Sequence, residues 1–147
     1  MNKIVNLLLF CLVSLTFSHS SFAGEGKLVI SDPWARPVVI ENRPGAAYFI
    51  IRNTTAMDDN LLKAVSPDAG RVELHVHKND GGVMRMAQVS AIPVAANGLT
   101  HVKPGGYHLM LFDLNKKLVI GDELALTLTF EHAGVINISA KVLKKAP

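Results

Sequence analysis

Apolar side chains in this sequence recur with period two, in short runs that turn-forming residues cut off before any helical period can establish itself. The segments Lys27–Ser31, Ala46–Asn53, Leu61–Ser66, Arg71–His77, Val83–Val89, His108–Leu114, Glu123–Phe130 and Val135–Val142 all read as strands. In the seventh, Leu124, Leu126, Leu128 and Phe130 alternate with more polar neighbours, as one buried sheet face requires. Between the runs stand Asn42-Arg43-Pro44-Gly45, Asn79-Asp80-Gly81-Gly82, Ala96-Asn97-Gly98, Pro104-Gly105-Gly106, Gly121-Asp122 and His132-Ala133-Gly134, which supply the backbone freedom of tight turns. Strands this frequent, with no segment able to form a crossover helix, predict an all-β fold. Its expected architecture is an antiparallel Greek-key sandwich.

The N-terminus belongs to a different regime. Met1-Asn2-Lys3 is a short basic start, and 4–17 is apolar except for Asn6, Ser14 and Thr16. Ser21-Phe22-Ala23 then places small residues where a signal peptidase inspects the chain. This is the layout of a cleaved secretory signal over 1–23, and it is short for a membrane span. The expected product is one soluble exported domain, 24–147, with no linker and no insertion into the membrane after cleavage. The sequence holds a single cysteine, Cys11, inside that leader. Phe10 before it and its early position do not suit a lipoprotein cleavage site. Without it, the mature chain has no disulfide, no thiol nucleophile and no thiolate for a metal. Loss of Lys3 lowers the net charge of +3 by one. No basic run exceeds Lys116-Lys117 or Lys144-Lys145, so neither nucleic acid nor an anionic membrane is an expected partner.

Catalytic constellations are missing from the sequence. It contains no G-x-S-x-G, no phosphate-binding glycine loop and no H-E-x-x-H. Asp58-Asp59 and Asp122-Glu123 lie at turns, where solvated carboxylates are ordinary. No enzymatic activity is expected. What stands out is a concentration of histidine and methionine: His75, His77, Met84, Met86, His108 and Met110 lie on three neighbouring strand segments. A lone Met on a strand is ordinarily core filler, and a lone His is ordinarily a hydrogen-bonded surface residue. Here alternation assigns Val72, Leu74, Val76, Leu109 and Leu111 to the core, so the His/Met faces are not needed to complete it. If Asp80-Gly81 forms the centre of a type I′ turn, His75 falls opposite Met86 and His77 opposite Met84, all four on one face. His108 and Met110 share a face of the third segment.

Imidazole nitrogen with thioether sulfur, free of thiolate and carboxylate, is a soft and neutral ligand set. It suits copper(I). Zinc more often recruits cysteine or carboxylate, and calcium or magnesium requires oxygen. A neutral set leaves the charge of the ion uncompensated, which favours a partly exposed site.

Several stretches resemble the periplasmic copper(I) chaperones of the PCuAC family. They are Val72-Glu73-Leu74-His75, Gly81-Gly82-Val83-Met84-Arg85-Met86 and Lys103-Pro104-Gly105-Gly106-Tyr107-His108-Leu109-Met110-Leu111. The family pattern is His, ten residues, Met, twenty-one residues, His-x-Met, and His75, Met86, His108 and Met110 reproduce both gaps. Trp34-Ala35-Arg36, Gly45-Ala46-Ala47-Tyr48 and 126–131 are also similar to the family. The resemblance implies a cupredoxin-like β-sandwich and copper(I) bound by His75, Met86, His108 and Met110. It further implies a periplasmic location and delivery of copper to the CuA-bearing subunit of cytochrome c oxidase, alongside a Sco-type thiol protein. A copper-sequestering or resistance protein could use the same four ligands. A blue-copper carrier could not, for want of a cysteine.

Two features depart from the family. Many members carry Met two residues after the first histidine, where this chain has His77, and the end 141–147 lacks the His/Met-rich extension of some relatives. The assumed turn sets the His77/Met84 rung roughly 6–7 Å from the His75/Met86 rung, too far for one compact shell. His77 and Met84 are therefore expected to form an outer pair at the mouth of the site.

Overall fold

A computed structural model describes residues 26–147; the leader 1–23 and Cys11 lie outside the described residues. Ten strands follow one another in the chain: β1 (Leu28–Ala35), β2 (Gly45–Asn53), β3 (Asp59–Val65), β4 (Ala69–Asp80), β5 (Val83–Gln88), β6 (Ile92–Val94), β7 (Leu99–Val102), β8 (Tyr107–Leu114), β9 (Glu123–Phe130) and β10 (Val135–Val142). All eight expected strands are present. The short strands β6 and β7 are additional; three and four residues leave too little alternation to read in the sequence. Among the described residues no helix is long and apolar enough to cross a membrane.

The strands form one curled sheet in the order β5-β4-β8-β7-β2-β1-β10-β9-β3-β6, and β8 also pairs with β2. The fold is the all-β sandwich that the alternation predicts. It departs from pure antiparallel pairing at two places: β1 runs parallel to β10, and β7 meets β8 in a parallel contact at Val102 and Tyr107. β1 and β10 lie at opposite ends of the chain, which leaves their direction to tertiary packing, whereas β7 and β8 are consecutive and touch in parallel at that one pair only. A bulge at Asp32-Pro33 lies between the two registers of β1 with β2. Asp32 takes a φ of 51° there, the irregular backbone of a strand that carries one residue more than its partner.

One core fills the interior. Phe49 and Ile51 of β2, Leu74 of β4, and Leu109 and Leu111 of β8 meet Leu61 of β3 and Leu124, Leu126, Leu128 and Phe130 of β9. Each is on the face that alternation assigns to the inside. The opposite face of β4 and β8 is thereby left outward, close to the free edge formed by β5. That outward face carries the histidines.

Candidate metal centre

The hairpin between β4 and β5 turns on Gly81-Gly82, with φ values of 59° and 89°, the two positive angles of a type I′ turn. The Asn79 side-chain oxygen accepts the Gly82 N–H at 2.8 Å and closes the loop. This corrects the expected turn, centred on Asp80-Gly81. Both dipeptides suit a type I′ turn, but two glycines meet both positive angles without any Cβ, whereas the other centre would put Asp80 in the left-handed region. The register moves accordingly. His77 faces Met86, Asn79 faces Met84, and His75 faces Gln88. The pairs expected from sequence, His75 with Met86 and His77 with Met84, are not formed. A turn that slides by one residue changes every partner by two, so the faces survive: His75, His77, Met84 and Met86 still share one.

On its other side β4 pairs with β8, placing His75 opposite His108, Glu73 opposite Met110 and Arg71 opposite Phe112. The preceding turn, Lys103-Pro104-Gly105-Gly106, has Pro at its second position and Gly105 at a φ of 79°, as a type II turn requires. Its last carbonyl is a structural hub. Gly106 O accepts the backbone N–H of His77 at 3.1 Å and the Nδ1–H of His108 at 2.9 Å. One peptide group thus registers β4 and orients a ring on β8.

The result is a compact group of imidazoles. The rings of His77 and His108 stack at 4.8 Å, and those of His75 and His108 lie 5.8 Å apart. His108 is 3% exposed. Burial holds its pKa below the ordinary histidine range; the charges His77 and His75 can carry act in the same direction, and the Gly106 bond opposes them. His108 is thus neutral near pH 7, with its proton on Nδ1 and a lone pair on Nε2. That Nε2 lies 3.3 Å from Met86 Sδ. Two lone-pair donors face each other with no proton between them, an arrangement that a soft cation resolves. With bonds of about 2.0–2.3 Å, as in zinc sites, one ion would touch both atoms at an angle near 100°.

Met110 joins this face one rung along from His108, opposite Glu73. Met84 stands a rung beyond Met86 at the tip, 56% exposed. The outer pair is therefore not a pair: His77 belongs to the Met86 rung and packs on His108, while Met84 alone is peripheral. Among the described residues no three His, Cys, Asp or Glu side chains are placed to hold a metal ion, so a centre here must draw on thioethers. The nitrogens His75 Nδ1 and His77 Nδ1 are shielded from solvent and have no hydrogen-bond partner. Such atoms are rare in folded proteins and call for a ligand or a strain explanation.

One participant escaped the sequence reading. Glu73 accepts from His75 Nε2 at 2.8 Å and from Arg71 Nε at 3.0 Å. Its separation of two residues from His75 put it on the same face, a signal that was available, but a carboxylate had no place in a soft ligand set.

Known proteins share this architecture. The family described as "LpqE-like: Putative lipoprotein LpqE-like" matches residues 28–142. An uncharacterized protein of Rickettsia prowazekii, RP573, is 33% identical over 135 residues, which cover 88% of this chain and 74% of the relative. The putative lipoprotein Lxx21020 of Leifsonia xyli subsp. xyli is 30% identical over 99 residues, covering 66% of this chain and 59% of its own length. Among solved structures, the copper-bound PCuAC domain from PmoF2 superposes with a TM-score of 0.68 at 28% identity, over 84% of this chain and 96% of that domain. The copper(I) form of DR1885 from Deinococcus radiodurans superposes with a TM-score of 0.67 at 25% identity, covering 87% and 86% of the two chains. The family match spans nearly all of the described residues, and the chain belongs to the LpqE-like family.

Proposed function

We propose that this protein is an exported, periplasmic copper(I) chaperone, released from its leader after Ala23, that binds the ion through His75, Met86, His108 and Met110. The observation that carries this reading is the 3.3 Å approach of His108 Nε2 to Met86 Sδ, on a ring whose Nδ1 meets the Gly106 carbonyl. The likeness to the copper-bound PCuAC domain from PmoF2 and to copper(I)-loaded DR1885 supports it. The chemistry selects the oxidation state: thioether and neutral imidazole stabilise copper(I), while the scarcity of oxygen ligands disfavours harder ions.

Exposure suits transfer. His108 is buried, but Met86 is 49% exposed on an edge strand, so a ligand from an acceptor can approach on the thioether side and displace one bond at a time. The acceptor is the CuA-bearing subunit of cytochrome c oxidase, with a Sco-type thiol protein acting in the same relay. The first test is competition with a chromophoric chelator. One colourless copper(I) is expected per chain, and excess zinc is expected to leave it bound; retention of zinc over copper(I) overturns the reading. Alanine at His75, Met86, His108 or Met110 is expected to remove most of the affinity. Loss of the protein from cells is expected to lower oxidase activity. Lowered copper tolerance with normal oxidase activity would instead identify a sequestering protein.

A further inference from the structure

Each histidine in the centre has two nitrogens, and the surroundings treat the two rings of His75 and His108 in opposite ways. Gly106 O can only accept a hydrogen bond, so its 2.9 Å contact keeps a proton on His108 Nδ1 and leaves Nε2 bare. At His75 the acceptor is a carboxylate, and it meets the other nitrogen, Nε2, at 2.8 Å. The remaining nitrogen, His75 Nδ1, is buried and has no partner.

The carboxylate is itself fixed. Arg71 Nε donates to Glu73 Oε1 at 3.0 Å, and the Arg71 guanidinium lies 4.5 Å over the Phe112 ring. The Glu73 and His75 side chains are 16% and 13% exposed, so water competes weakly for their bond. Alternation puts Arg71, Glu73 and His75 on one face of β4, and pairing with β8 puts Phe112 beside the first of them. A histidine that donates one N–H to a carboxylate while offering its other nitrogen to a metal is a recurrent arrangement; it sets the tautomer and raises the basicity of the ligand.

We propose that Glu73, held by Arg71, is a positioning residue that keeps the proton of His75 on Nε2, so that copper(I) is bound by Nδ1 of His75 and by Nε2 of His108. The inference rests on reading this face as a copper(I) centre and deepens it.

Long-range proton–nitrogen NMR on the wild-type protein, apo and copper(I)-loaded, reads each ring nitrogen directly. In the apo protein His75 is expected to carry its proton on Nε2 and His108 on Nδ1. On loading, Nδ1 of His75 and Nε2 of His108 are expected to shift. Glu73→Ala is expected to mix the His75 tautomers and to weaken copper(I) binding by roughly ten- to hundred-fold. Glu73→Gln keeps an acceptor oxygen and is expected to restore the tautomer and recover part of the affinity. A copper-dependent shift at His75 Nε2, or a Glu73→Ala protein with unchanged tautomer and affinity, overturns the inference while leaving the copper centre standing. A wild-type protein that binds no copper(I) overturns both. The wild-type spectra need no variant to fold.

Discussion

At the scale of single residues, position on the rung decides importance. His77 faces Met86 and stacks on His108 at 4.8 Å, whereas Met84 faces Asn79 at the exposed tip. Copper(I) affinity is therefore expected to fall roughly ten-fold in His77→Ala, as for a residue that supports ligands, and to change little in Met84→Ala. Equal losses in a chelator competition would mean that the register in solution differs from Gly81-Gly82. His108 also couples the site to pH. Its folded pKa is lowered by burial, so the native state binds fewer protons than the unfolded chain once pH drops below the unperturbed value of about 6.5. The stability associated with neutral His108 is present above that value and is lost as pH falls toward and through the folded pKa. Urea titrations of the apo protein between pH 7 and 5 are expected to show this loss, and His108→Gln is expected to reduce its slope. An identical slope in the variant would assign the pH dependence to other groups.

At the scale of elements, the β4–β5 hairpin is set by its turn. An alanine at Gly82 would need a φ of 89°, outside what L side chains adopt readily, although nothing lies within 4 Å of the added Cβ. The cost is backbone strain alone, about 1–2 kcal/mol. Gly82→Ala is expected to lower stability by that amount and to weaken copper(I) binding, because the turn holds Met86 across from His77. Gly81→Asn is expected to be tolerated, since Asn enters the left-handed region at φ near 59° with little penalty. Equilibrium unfolding and chelator competition on the two variants separate strain from loss of a side chain.

At the scale of the whole molecule, the sandwich separates stability from binding. Leu128 of β9 is fully buried in the half of the sheet away from the His/Met face. Leu128→Ala is expected to cost about 2–5 kcal/mol of unfolding free energy while the folded protein keeps its copper(I) affinity within a few-fold. A large loss of affinity in the folded variant would show that the core and the site are coupled. The same separation of local from distant interactions marks what could be read in advance. Alternation alone placed Leu124, Leu126, Leu128 and Phe130 inside and put His75, His77, Met84 and Met86 on a common face, because side-chain direction in a strand depends only on parity. Parity does not choose between Asp80-Gly81 and Gly81-Gly82 as turn centres; the positive φ values and the Asn79 bond decided that. Neither could the sequence foresee the parallel β1–β10 pair, the Gly106 carbonyl shared by His77 and His108, or Arg71 and Glu73 held beside Phe112. Each depends on which distant strands become neighbours, and that is settled only when the sheet closes on its core.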